Sequence, residues 1–307
     1  YDSIKIMVEE ALKAGADKNI GHEYNLDIET RYREDSRNPI ATPWPRINEL
    51  LQGGLGEGDF GLIFGNPGGG KSWSLVALGG HAVRMGYNVL HYTLELGEDY
   101  VGRRYDAFFT KIPVNNIAKH KDKVEEIIPK IPGKLVIKEF PMGKTTIHTV
   151  ESHIRKCQDL DIKPDLIIID YVDLLGTRKK TADRKGEIDD IYTSTKGLAR
   201  ELKVPIWSVS QVNMITDFCL SLSRKAKDKV NGTGRFHVMK NRYGMDGLTF
   251  GVKADTSTGH FTVHDYDEDD ELVTNLQTES LSTSNFNSYD KSHIKGQDIT
   301  ENFFMNQ

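Results

Sequence analysis

The stretch Gly65-Asn-Pro-Gly-Gly-Gly-Lys71-Ser72 constrains this chain more than any other. It matches G-x-x-x-x-G-K-[ST] at every position, follows the apolar run Phe60–Phe64 and opens a helix-forming segment, Lys71–Met85. Strand, glycine-rich loop, helix is the context in which this pattern holds phosphate. Glycines let consecutive backbone N–H groups converge on phosphate oxygens without side-chain clash. The helix start adds unpaired N–H groups and a partial positive charge. On this basis Gly65, Asn66, Pro67, Gly68, Gly69, Gly70, Lys71, Ser72 and Trp73 form a site for ATP. Lys71 is expected on the β/γ-phosphates and the Ser72 hydroxyl on Mg²⁺.

The surrounding pattern is an alternation of strands and helices from Ile47 to about His264. Apolar runs at Phe60–Phe64, Val89–Leu94, Leu135–Phe140, Leu166–Ile169, Ile206–Ser210 and Phe218–Leu222 read as strands. Helices are expected at 98–109 and 122–130. Thr146–Leu160 reads as a helix with Ile147, Val150, Ile154 and Cys157 on one face. Ile188, Ile191, Thr195, Leu198 and Leu202 recur at three-four spacing and mark another. Arg235–Met239, Leu248–Val252 and Phe261–Val263 follow as late strands joined by glycine-containing turns. The predicted class is α/β, a mostly parallel twisted sheet flanked by helices, with late antiparallel strands. One step is awkward. Only Val212–Thr216 lie between Gln211 and the run that starts near Phe218. A parallel crossover needs about a dozen residues. Either these two strands are antiparallel, or a loop is missing between them.

Polar groups at strand ends supply candidates for chemistry. Asp170 closes the run Leu166–Ile169 and is expected one strand over from the glycine loop, holding Mg²⁺. Asp173 is an alternative for that task. Glu95, just past Val89–Leu94, serves either to polarise an attacking water or as a capping or surface group. Gln211 either senses the γ-phosphate or is a solvated amide. Lys240 and Arg242 flank the turn Lys-Asn-Arg-Tyr-Gly, either as a solvated loop or as trans-acting fingers that reach a neighbour's nucleotide.

Composition narrows the setting. The 307 residues carry a net charge of −5, which neither announces nor excludes a nucleic-acid partner. No apolar run approaches the roughly 20 residues that cross a bilayer. Cys157 and Cys219 sit in apolar segments and read as core thiols in a reducing compartment. The chain begins at Tyr1 rather than Met, so a fragment or a partly ordered chain is expected. Residues 1–41 read as a short helix, with Ile4, Val8 and Ala11 in a stripe, followed by a polar linker. Residues 42–266 read as the compact domain, and 267–307, rich in Ser, Asn, Thr and Asp, as a flexible tail.

Taken in order, these residues resemble the C-terminal motor domain of DnaB-like replicative helicases, particularly those of large tailed phages. The likeness covers roughly Thr42 to His264. It is carried by Thr42–Gly58, Gly65–Ser72, Thr93-Leu-Glu-Leu with Arg104 downstream, Ile169-Asp-Tyr, Ser208-Val-Ser-Gln211 and Lys240-Asn-Arg-Tyr-Gly. The resemblance implies a RecA-like fold and a homo-hexameric ring. It implies ATP hydrolysis between subunits, coupled to 5′–3′ movement on single-stranded DNA and opening of forked DNA. Glu95 would activate water, Asp170 organise Mg²⁺ and Gln211 couple the γ-phosphate to DNA-binding loops. Lys240 and Arg242 would complete the adjacent subunit's site, and the helix Ile4–Ala16 would dock on the next subunit. Arg178, Lys179, Lys180, Arg184 and Lys185, in the loop after Asp170, would meet DNA phosphates. Primase and a helicase loader are the implied partners, in bacterial cytoplasm or an infected host cell. The tail ends Gln297-Asp-Ile-Thr300-Glu-Asn-Phe303-Phe304, which looks like a sliding-clamp-binding peptide with Thr300 in place of the usual aliphatic residue. Two other functions fit a P-loop core: a RecA-type strand-exchange filament and a regulatory ATPase switch.

Overall fold

The structure, a computed structural model, describes residues 24–25, 37–177, 184–210 and 216–266. Its centre is β1 (Phe60–Phe64), which leads through the glycine loop into α2 (Lys71–Arg84), after a short α1 (Pro45–Leu50). The chain continues through β2 (Val89–Thr93), α3 (Glu98–Thr110), α4 (Lys121–Ile127), β3 (Leu135–Glu139), α5 (Ile147–Asp159) and β4 (Leu166–Asp170). Then come α6 (Arg184–Leu202), β5 (Ile206–Ser210), β6 (Phe218–Ser223) and α7 (Ala226–Asn231). The strands β7 (Thr233–Asn241), β8 (Thr249–Asp255) and β9 (His260–Asp265) close the described fold.

One sheet runs in the order β3-β2-β4-β5-β1-β6-β7-β8-β9. From β3 to β6 every pairing is parallel, and β7, β8 and β9 extend it antiparallel. The expected class therefore holds. Asp170 is a strand further from the glycine loop than expected, because β5 lies between β4 and β1. The antiparallel alternative for Phe218–Ser223 fails, since β5 and β6 flank β1 and both run parallel to it. Seven residues, 211–217, separate the two strands in sequence, a length that spans at most roughly 25 Å when extended. Residues 211–215, and with them Gln211, lie outside the described residues, as do 178–183, the helix Ile4–Ala16 and the tail motif.

Both sheet faces are covered, which is why the central strands are continuous apolar runs. In β4 the alternation sends Leu166 and Ile168 to one core, and Ile167 and Ile169 to the other. The first core holds Leu75, Val76, Val101 and Tyr105 from α2 and α3. The second holds Ile147, Val150, Ile154 and Cys157 from α5, the four expected on one face, with Ile191, Tyr192 and Leu198 from α6. Both cysteines are buried and free. Ile40, on the linker side of Thr42, bridges to Leu55, and Arg37 pairs with Asp59 at 3.2 Å.

His91 on β2 is fully enclosed, with Nδ1 at 2.8 Å from the Tyr105 hydroxyl. Burial, helped by nearby Arg104, pushes its pKa down to about 3. The fold thus keeps the imidazole neutral, whereas the unfolded chain protonates it near 6.5. The stability that neutral His91 contributes is complete above pH 6.5 or so and is lost as pH falls towards 3. By pH 5 the loss is about 2 kcal/mol. His91→Asn should therefore lose thermal stability less steeply than wild type between pH 7 and 5. Parallel melting curves across that range would remove His91 as the cause.

Candidate active site

The glycine loop sits where β1 ends, at the C-terminal edge of the parallel strands. Gly70 caps α2 with φ +99°, a left-handed conformation that glycine adopts without strain. At Gly65 a Cβ atom would lie 2.5 Å from the Leu222 carbonyl oxygen, so only hydrogen fits. These two positions explain why the loop can wrap tightly around a small anion.

A cavity of about 370 Å³ opens beside the loop, within the size range of ligand pockets. Pro67, Gly68, Gly70, Lys71, Ser72 and Trp73 line one side, and Glu95 and Arg104 the other. Lys71 donates to the carbonyls of Gly65 at 2.6 Å and Asn66 at 3.1 Å. Burial lowers its pKa, against the pull of Asp170, Glu95 and Asp173. Asp170 lies at the end of β4, almost wholly buried, and accepts from Ser72 Oγ at 3.2 Å. Burial raises its pKa to about 6; Ser72, Arg104 and Lys71 pull the other way, while Glu95 adds to the rise. A hydroxyl beside a buried carboxylate is a hard-oxygen donor pair. Mg²⁺ suits it, because that ion keeps waters and phosphate oxygens for its remaining positions. Among the described residues no group of three or more His, Cys, Asp or Glu could hold a metal unaided.

Asp173 is drawn elsewhere. It accepts from the Tyr192 hydroxyl at 2.6 Å and from Ser210 at 2.8 Å, tying the tips of β4 and β5 to α6. Thr177 bonds Asp190 at 2.9 Å, which ties the start of the expected DNA loop to α6. Of that loop's basic residues, the side chains of Arg178, Lys179, Lys180 and Arg184 lie outside the described residues. Lys185 is exposed at the start of α6.

Lys240 and Arg242 stand apart from this cavity. Lys240 lies inside β7, opposite Cys219, rather than at the turn, because pairing with β6 continues to Asn241. Arg242 begins the turn and is paired with Asp217 at 2.7 Å. Asp217 neighbours Phe60, the start of β1, whereas the glycine loop follows Phe64. Four residue steps of roughly 3.3 Å each separate those ends along the strand.

Several lining residues have no role that sequence reading assigns. Arg104 enters it only as a companion of Glu95. Its guanidinium lies 5.0 Å over the Trp73 ring and 5.2 Å over Tyr100, and its Nε is buried without a partner. The Tyr100–Arg104 spacing of one helical turn is the available signal. Thr256, between β8 and β9, reaches the cavity from the far end of the sheet. A Cβ at Gly70 would meet its Cγ2 at 3.3 Å, and one at Gly68 would lie 3.4 Å from Lys229 Nζ. These contacts are long-range and leave no local pattern to read.

A glycine loop on a central parallel strand, facing a buried carboxylate two strands away, defines a P-loop nucleotide-binding protein of RecA-like fold. A family model described as the DnaB-like helicase C-terminal domain matches residues 40–218. The DnaB-like replicative helicase of Enterobacteria phage T4 is 26% identical over 228 residues, covering 68% of this chain and 47% of that protein. The replicative DNA helicase DnaB of Geobacillus stearothermophilus is 27% identical over 226 residues, covering 68% and 48%. Two solved structures share the fold. A DnaB-like replicative helicase, described with its interactions with primase, gives a TM-score of 0.64 at 17% identity, covering 86% of this chain and 71% of that one. A second, described as an ATPase domain, gives 0.62 at 18%, covering 87% and 98%. The chain belongs to the DnaB-like helicase C-terminal domain family. It spans about half the length of the T4 and Geobacillus relatives.

Gly70→Ala should weaken nucleoside triphosphate binding on the order of tenfold. A left-handed alanine costs roughly 1–2 kcal/mol, and 1.4 kcal/mol is a factor of ten. Titration with a fluorescent triphosphate checks this. Unaltered affinity would show that the loop does not close on phosphate at Gly70.

Proposed function

We propose that this chain is the motor domain, residues 42–266, of an ATP-dependent replicative DNA helicase that hydrolyses ATP between subunits of a hexameric ring. The observation that carries the composite site is the separation of its two halves. Lys71, Ser72, Glu95 and Asp170 gather at one edge of the sheet, while Lys240 and Arg242 face solvent at the other edge. A chain cannot close that gap on itself; a neighbouring copy can. Lys240, inside β7, and Arg242, the first residue of the turn, are both exposed, with Asn241 buried between them, so the two cations are open to a neighbour together.

In this mechanism the glycine loop and Lys71 hold the β/γ-phosphates. Ser72 and Asp170 would hold Mg²⁺, which neutralises developing charge. Glu95 lies on the cavity wall, where it orients and deprotonates the attacking water. Gln211 follows the tip of β5, which pairs beside β1, and would report the state of the γ-phosphate to the DNA loops. Arg242, with Lys240, comes from the next subunit and stabilises charge in the transition state. Basic residues 178–185 would neutralise DNA phosphates. Primase, a loader and, through Gln297–Phe304, a sliding clamp are the proposed partners, with movement 5′–3′ and a cytoplasmic setting. No helix among the described residues is long and apolar enough to cross a membrane.

A forked-duplex unwinding assay tests the reading, with Lys71→Ala as the inactive control and ring assembly checked in parallel. Assembled wild-type rings that hydrolyse ATP on single strands yet open no fork would overturn it. Arg242→Ala should lower turnover on the order of 10³-fold or more while nucleotide binding survives. Near-normal turnover in that variant removes the trans-acting role.

A further inference from the structure

Asp217 is a buried carboxylate that the composite site leaves unused. It lies at the entry to β6, only 4% exposed, and every oxygen it has is engaged. Oδ1 accepts from Arg242 Nη1 at 2.7 Å. Oδ2 accepts from the Lys196 ammonium on α6 and from the Phe60 backbone N–H at 2.8 Å. Its carbonyl accepts from the Arg242 N–H at 3.0 Å, so backbone and side chain of the arginine are held by one residue. Lys196 also donates to the Gly58 carbonyl at 2.7 Å, which ties the anchor to the base of β1. Burial alone would push the Asp217 pKa up, but the bonds from Lys196, Phe60 and Arg242 outweigh it and hold the carboxyl below its ordinary value. The same pairing raises the Arg242 pKa.

Arg242 itself remains half exposed, at 55%. A guanidinium is a rigid planar fork with five N–H donors. Fixing one terminal nitrogen restricts how the group can turn and leaves donors that Asp217 does not use.

We propose that Asp217 is the positioning residue for the trans-acting arginine: it holds Arg242 by one nitrogen so that the rest of the guanidinium meets the neighbouring subunit's phosphates. This rests on the trans role of Arg242. The anchor is rooted in the start of β1, the strand whose other end carries the glycine loop. Each subunit's finger is thus set by the same sheet that holds its own nucleotide.

The test is subunit mixing with full rings. Asp217→Asn keeps the size of the side chain but places an amide against the Lys196 and Phe60 donors. Displacing the finger by about 1 Å should lower ATP turnover on the order of 10²-fold, with triphosphate affinity unchanged. The defect must lie in the neighbour's site. Mixing Asp217→Asn with Lys71→Ala subunits therefore creates interfaces that combine an intact P-loop with an intact finger. ATPase activity should rise above the sum of the two variants alone, which a defect in folding or in the chain's own site would not produce. Wild-type turnover in Asp217→Asn, or a loss that mixing does not relieve, overturns the proposal. Arg242→Ala mixed with Lys71→Ala separates the two layers. If that pair fails to complement, the trans role itself falls; if it complements and Asp217→Asn does not, only the positioning role falls. Should Asp217→Asn not fold, Asp217→Glu keeps the charge while shifting the carboxylate by one methylene, and the same two readouts decide.

Discussion

The parallel pairing of β1 on both sides is the constraint on which the rest depends. Phe60–Phe64 bonds β5 on one flank and β6 on the other, so its position is set in two directions. That rigidity fixes where the glycine loop begins. It also fixes the approach of Leu222, whose carbonyl leaves no room for a Cβ at Gly65. A loop built from small residues has little stiffness of its own. Its precision is borrowed from the strand before it and the helix after it.

The same strand organises both ends of the molecule. Its C-terminal end delivers the phosphate loop. Its N-terminal end holds the Asp217, Lys196 and Arg242 cluster, joined to the Arg37, Asp59 and Tyr243 group beside it. Arg37 stacks over the Tyr243 ring at 3.7 Å while pairing with Asp59. The segment before α1 is therefore fastened to the turn that carries Arg242.

The local half of this design is legible in the sequence. The glycine loop, the apolar strands and the helix faces at Ile147–Cys157 and Ile191–Leu198 all write themselves into short-range periodicity. So does the position of Asp170, the polar residue that closes an apolar strand. Sheet order and long-range closure stay hidden. Nothing local says that β5 separates β4 from β1, or that Thr256 folds back beside Gly70. The short α1 and α7 escape detection because six residues carry too little period. Lys240 reads as a turn residue from sequence, since pairing with β6 extends further than hydrophobic alternation alone reveals.

Two buried carboxylates, at opposite ends of the sheet, show how environment assigns tasks to identical groups. Asp170 has one hydroxyl partner, and burial holds its pKa up at about 6. Asp217 has a lysine, an arginine and a backbone N–H, and these hold its pKa down in spite of burial. A buried charge that the protein already satisfies is a structural anchor, because removing any partner leaves the others uncompensated. A buried charge that the protein leaves under-compensated is suited to a ligand, because an arriving cation gains what the protein withheld. By that criterion the carboxylate suited to a cation is the one at the end of β4. The carboxylate at the entry to β6 belongs to the framework that aims Arg242.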